Sequence, residues 1–172
     1  SNTEADIHVA VLDPVAALWT RLGNPFQGFP YAGESGAERG ELDRLRDAWV
    51  DVCKALLFGQ VGYEHLDAEM LAGATVEQGR IRAGRASYSV VVVPPCHCME
   101  AKARKKLEEF VRQGGCLSGM EELPHVGIDG GEDDLVTREA WRRLFQGKSA
   151  YFLERTQDRE RLLDLCREFG GQ

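Results

Sequence analysis

No stretch of this sequence approaches the length of an apolar membrane span, and nothing in it resembles a secretory signal segment. An integral membrane protein is therefore not expected. Basic charge is also scarce. Lys and Arg total 21 against 28 Asp and Glu, a formal net charge of −7, which argues against an extended phosphate-binding surface and against a nucleic-acid partner. The densest basic run, Lys102, Arg104, Lys105 and Lys106, is interleaved with Glu100, Glu108 and Glu109, so it reads as a solvated helix face. There is no internal repeat and no low-complexity tract. Five cysteines, an odd number scattered through segments that read as helix and strand, do not make a disulfide framework. A reducing, cytoplasmic compartment is the expectation.

What remains is an ordinary globular composition, 43% hydrophobic and 28% charged over 172 residues, enough to bury one core without disulfide or metal staples. Ser1-Asn2 reads as a scar of tag removal. The expected organisation is a tag remnant or flexible terminus over residues 1–6 and a single α/β domain over 7–172, excised from a larger multidomain protein.

Apolar periodicity orders the elements. Ile7 to Leu12 is short and β-branched and ends at Asp13-Pro14, as a buried strand does. Val15 to Leu22 has helical spacing, and Asn24 to Gly40 is a long loop carrying Phe26, Phe29 and Tyr31, a candidate contact surface. Glu41 to Phe58 predicts an amphipathic helix with Leu42, Leu45, Trp49, Val52, Cys53, Leu56 and Leu57 on its apolar stripe. A strand over Gly62–Leu66, a short helix capped by Asp67 and a hairpin turning at Gln78-Gly79 come next. Tyr88 to Val93, with four consecutive valines, predicts a central parallel strand covered on both faces. Lys102–Arg112 predicts a helix, Cys116–Gly119 a strand, Arg138–Phe145 a helix capped by Thr137, Ala150–Leu153 a strand, and Asp158–Phe169 a closing helix. About five alternations of strand and helix predict a three-layer, doubly wound, mostly parallel sheet, flavodoxin-like in outline.

In such a sheet ligands sit at the carboxyl ends of the strands, here after Leu12, Leu66, Val93, Gly119 and Leu153. The first of these turns, Asp13-Pro14-Val15, has no glycine, and Pro14 removes a backbone donor; flavin or dinucleotide phosphate would not be held there, and no cofactor is expected. Asp13, Cys96, His97 and Glu121 mark the candidate strand-end cleft. The triplet Cys96-His97-Cys98 carries zinc-type donors but cannot close a tetrahedral site alone, and His125 and Cys116 are its candidate helpers. A cysteine there could instead serve as a nucleophile, given a base from His8, His65, His97 or His125. Glu121 and Glu122 could form an acid/base pair, although sequence neighbours usually point apart. Surface carboxylates are the blander reading. Trp19, Trp49 and Trp141 occupy apolar helix positions and read as core.

The order of motifs, HVAVLDPVAALW followed by Tyr63-x-x-Leu66-Asp67-x-x-x-Leu71, then Gly79-Arg80-Ile81, Tyr88 to Pro94 and Gly114-Gly115, resembles the accessory domain that follows the catalytic barrel in certain large bacterial glycoside hydrolases, β-galactosidase-like and rhamnosidase-like enzymes among them. The fold is also similar to class I glutamine amidotransferases. That resemblance implies a cysteine in a glycine-flanked elbow near Ser118-Gly119-Met120; here the thiol, Cys116, opens the strand instead, and the His-x-Glu pair that completes the triad is missing. The resemblance thus implies a non-catalytic domain that packs on its parent's barrel or mediates homo-oligomerisation, with no catalytic, cofactor or metal residue. A cysteine-dependent amidotransferase-like hydrolase and a small-ligand or metal-binding module are the alternatives.

Overall fold

The computed structural model describes residues 7–13, 36–126, 133–155 and 158–170, with the side chains of the first described helix given from Gly40 onward. The helix expected over Val15–Leu22, Trp19 and the aromatic residues Phe26, Phe29 and Tyr31 lie outside the described residues.

Five strands form one parallel sheet: β1 (Val9–Leu12), β2 (Tyr63–Leu66), β6 (Val90–Val93), β7 (Cys116–Met120) and β8 (Ala150–Leu153), in the spatial order β2-β1-β6-β7-β8. This is the flavodoxin-like order, and it reverses direction between β1 and β6. The valines of β6 are all buried but alternate between two cores. Val91 and Val93 pack with Ala10, Leu12 and Leu117 under helices α2 (Ala68–Ala72), α3 (Ala101–Arg112) and α4 (Asp134–Leu144). Val90 and Val92 pack with Val9, Val11 and Met120 under α1 (Gly36–Phe58) and α5 (Arg159–Gly170). A strand with no polar face is stable only between two such layers, and the expectation of a three-layer α/β sandwich holds.

A second, antiparallel sheet of three short strands, β3 (Thr75–Glu77), β4 (Arg80–Ala83) and β5 (Ala86–Tyr88), sits against α3. Only its first hairpin was expected. The strand read as Tyr88–Val93 is split at Ser89, whose N–H donates to the His8 carbonyl at 2.9 Å and whose hydroxyl donates to the Phe169 carbonyl at 2.8 Å. Tyr88 therefore belongs to the small sheet and Val90 to the large one.

Other boundaries differ for local reasons. Helix α1 begins at Gly36 instead of Glu41, and its last turn leaves Leu57 and Phe58 64% and 81% exposed, off the buried stripe. Helix α4 begins at Asp134, capped by the Asp133 carboxylate accepting from the Val136 N–H at 2.9 Å, so Thr137 is a buried helix residue and not a cap. A carboxylate caps better than threonine and also meets the positive helix end. On α3, Arg104 is buried and pairs with Glu108 at 2.9 Å, whereas Lys102 and Lys105 are exposed. The basic run is solvated at Lys102 and Lys105, with Lys106 half-buried and Arg104 buried. Among the described residues no helix is long and apolar enough to cross a membrane.

The β3–β4 turn ties the small sheet to α3. Gln78 and Gly79 have φ of 56° and 73°, as a two-residue turn with both central residues left-handed requires, and the Gly79 N–H donates to Gln113 Oε1 at 3.1 Å. A β-carbon on Gly79 would lie 2.9 Å from the Gln113 carbonyl oxygen. Gly79→Ala is expected to lower unfolding free energy by about 2 kcal/mol, through left-handed strain plus a backbone clash. Urea denaturation measures this; a change below about 0.5 kcal/mol, the size of an ordinary surface substitution, would refute the docking role of the turn.

Candidate functional site

The described strands end at Leu12, Leu66, Val93, Met120 and Leu153, one residue later than expected for β7. Among the described residues, two separate features at their carboxyl edge hold the expected site residues.

The first is a narrow, largely apolar crevice at the switch point between β1 and β6, lined by Leu12, Asp13, Ala68, Val93, Pro94, Cys96 and Met99. The expected cleft residues Asp13 and Cys96 meet here. Cys96 is 1% exposed, its Sγ donates to the Cys98 carbonyl at 2.9 Å, and burial, followed by the neighbouring Cys98, pushes its thiol up to about 12. Cys116 and Cys166 are likewise held near 12, chiefly by burial. A nucleophilic cysteine must carry thiolate near neutral pH, and these three do not.

The second feature is ionic. After Pro94-Pro95 the chain bends at Pro95 and again at His97; Cys96 and Cys98 are buried in a small cluster of their own with Val126, while the His97 side chain keeps 13% of its surface exposed. The segment after β7 lies alongside it. The Cys96 N–H donates to the Glu122 carbonyl at 3.3 Å, and the His97 carbonyl accepts from the N–H groups of His125 at 2.8 Å and Val126 at 3.1 Å. This short ladder brings His125 beside His97, with ring centroids 5.3 Å apart. Cys116, the other candidate helper, lies at the opposite end of the sheet, paired with Val90.

Glu121 governs how β7 stops. Its φ is +64°, its N–H donates to the Leu153 carbonyl at 2.7 Å, and the next N–H, of Glu122, donates back to the Met120 carbonyl at 2.6 Å. A positive φ spanned by an i+2 to i hydrogen bond is a γ-turn, a strained conformation for a residue with a side chain. It is a sharp elbow at the carboxyl end of a parallel strand, and it carries a carboxylate.

The turn also cancels the divergence expected of adjacent glutamates. One guanidinium on α1 bridges both: Arg44 Nη1 lies 3.1 Å from Glu121 Oε1 and Nη2 2.7 Å from Glu122 Oε1, while Nε pairs with Glu41. The second oxygen of Glu122 lies 3.1 Å from His97 Nε2 and 3.0 Å from His125 Nε2, and Glu41 Oε1 stands 3.7 Å from His97 Nε2. Burial alone would raise the Glu122 pKa. Hydrogen bonds from His125 and Arg44, together with the charges of His97 and Arg44, outweigh it and hold the carboxyl below its ordinary value.

Of the four expected cleft residues, then, Asp13 and Cys96 share the crevice and His97 and Glu121 join the ionic cluster. Glu41 and Arg44 were not anticipated. Their signal was topological: a helix leading into a parallel strand runs antiparallel to it, so its first turns stand at the carboxyl edge of the sheet. The other histidines sit elsewhere, His8 against Arg80 Nη2 at 2.7 Å and His65 between Trp49 and Tyr63. No protein-family model matches the chain, and no curated protein matches it.

The folded pKa of Glu122 lies below the unfolded value of about 4.3, so its contribution to stability is complete above that value and is lost as pH falls through the folded pKa. Arg44→Met removes the guanidinium and is expected to raise the Glu122 pKa measurably in a carboxyl NMR titration. The accompanying stability loss is expected to be about 1 kcal/mol, as the pairs are partly exposed. An unmoved Glu122 titration would refute the bridge.

Proposed function

We propose that this chain is a non-catalytic accessory domain of a bacterial glycoside hydrolase, packing on the catalytic barrel of its parent or mediating assembly between copies. The observation that carries the reading is Glu121. On scaffolds of this outline a strained elbow at the end of a central strand is where a nucleophile is presented. Here that position holds a carboxylate engaged by Arg44 at 3.1 Å, and the nearby thiol Cys96 is buried and held protonated. A carboxylate in an ion pair, with its backbone N–H spent on Leu153, is a structural terminus for β7.

The motif order supports the choice of parent. Three motifs of the resemblance have definite tasks in the fold: Asp67 caps α2 by accepting from the Met70 N–H at 2.7 Å, Gly79 closes the β3–β4 turn, and Gly115 lies against Phe110, where a β-carbon would meet the ring at 2.2 Å. Such residues preserve a scaffold. The adjacent exposed side chains Leu57 and Phe58 supply apolar surface that a packing partner would cover.

The test is to express the complete open reading frame and assay it, beside the isolated chain, against a panel of aryl glycosides. The full-length protein is expected to hydrolyse at least one of them and the isolated chain none. A reading frame encoding no (β/α)8 barrel, or turnover by the isolated chain, would overturn the proposal.

A further inference from the structure

We propose that His97, Glu122 and His125 form a binding site for one divalent transition metal of the zinc class, independent of the accessory role. One imidazole nitrogen from each histidine and one carboxylate oxygen lie within 4.8 Å of one another. Glu122 Oε2 is 3.1 Å from one imidazole nitrogen and 3.0 Å from the other. Tetrahedral zinc with bonds of about 2.1 Å places its ligand atoms about 3.4 Å apart, so the carboxylate and the rings need to separate by only a few tenths of an ångström to admit the ion. Two nitrogens and one oxygen suit zinc, cobalt, nickel or copper and not the all-oxygen preference of calcium or magnesium.

Three observations make the cluster more than a group of surface charges. The two histidines are fixed to each other through backbone, the His97 carbonyl accepting from the His125 and Val126 N–H groups, so the donor set is assembled before any ion arrives. The carboxylate is oriented from behind, because Arg44 holds Oε1 of Glu122 at 2.7 Å and leaves Oε2 toward the rings; supporting contacts of this kind govern metal affinity. Negative charge gathered at the rings also favours a dication: the carboxylates of Glu41, Glu121 and Glu122 converge on Arg44 beside them. Cys96 contributes nothing, since its Sγ is turned inward onto the Cys98 carbonyl at 2.9 Å. A further carboxylate, that of Glu41, stands 3.7 Å from His97 Nε2.

The experiment titrates the chelator-treated full chain with zinc by calorimetry and with cobalt by visible absorption, at neutral pH and again at mildly acidic pH. Expected are about one ion per chain, weaker binding on acidification because protons compete for both rings, and at least about a tenfold loss of affinity in His97→Ala, His125→Ala and Glu122→Gln, with Glu139→Gln unchanged. Imidazole NMR of the unmutated chain supplies a readout that does not depend on variants folding: zinc is expected to shift the resonances of His97 and His125 and leave His8 and His65 in place. Absence of stoichiometric binding, equal binding by the His97→Ala and His125→Ala variants, or a response confined to His8 or His65 would overturn the proposal.

Discussion

The carboxyl edge of this sheet is organised by the way β7 stops. Glu121 takes a left-handed backbone conformation, with φ of +64°, that a side-chain-bearing residue adopts only when its surroundings impose it. The carbonyls of Leu153 and Met120 impose it here through two short backbone hydrogen bonds. The reversal turns both glutamates toward Arg44 and lays residues 122–126 along residues 96–98. The pairing of loops, the meeting of two histidines and the shared carboxylate all follow from that single turn. A glycine could make the turn at lower cost; a glutamate makes it and also ties α1 to the sheet.

The same geometry separates two chemistries that adjoin in sequence. Beyond Pro94-Pro95 the backbone bends at Pro95 and His97, leaving Cys96 and Cys98 buried together and His97 partly exposed. Inside, the low-dielectric surroundings penalise thiolate and hold Cys96 near 12. The imidazole of His97, 13% exposed, meets carboxylates instead. A triplet that looks like one site in sequence is thus divided, its thiols turned to one small cluster and its imidazole to another.

The fold was largely legible because its signals are local. Four valines ended by two prolines, the apolar stripe of α3 and the Gln78-Gly79 turn each specify an element by periodicity or turn chemistry. Strand β5 and the break at Ser89 were not legible: Ser89 leaves the strand because its hydroxyl finds the Phe169 carbonyl, 80 positions away in the chain. The candidate site was legible in halves. His97, His125 and the glutamate pair could be picked out by residue type, but their convergence depends on a γ-turn at a residue type that does not favour one, and on Arg44 from a distant helix. Neither has a local signature.

The central claim is that Cys96, at the carboxyl edge of the sheet, is buried and protonated and so not a reactive thiol. The most direct measurement is the rate of iodoacetamide modification of Cys96 at neutral pH, followed by peptide mass spectrometry in the native chain and in urea. Modification is expected to be negligible in the native chain and rapid once unfolded, because the thiol is both buried and protonated. Native Cys96 reacting as fast as, or faster than, the unfolded control would contradict the account.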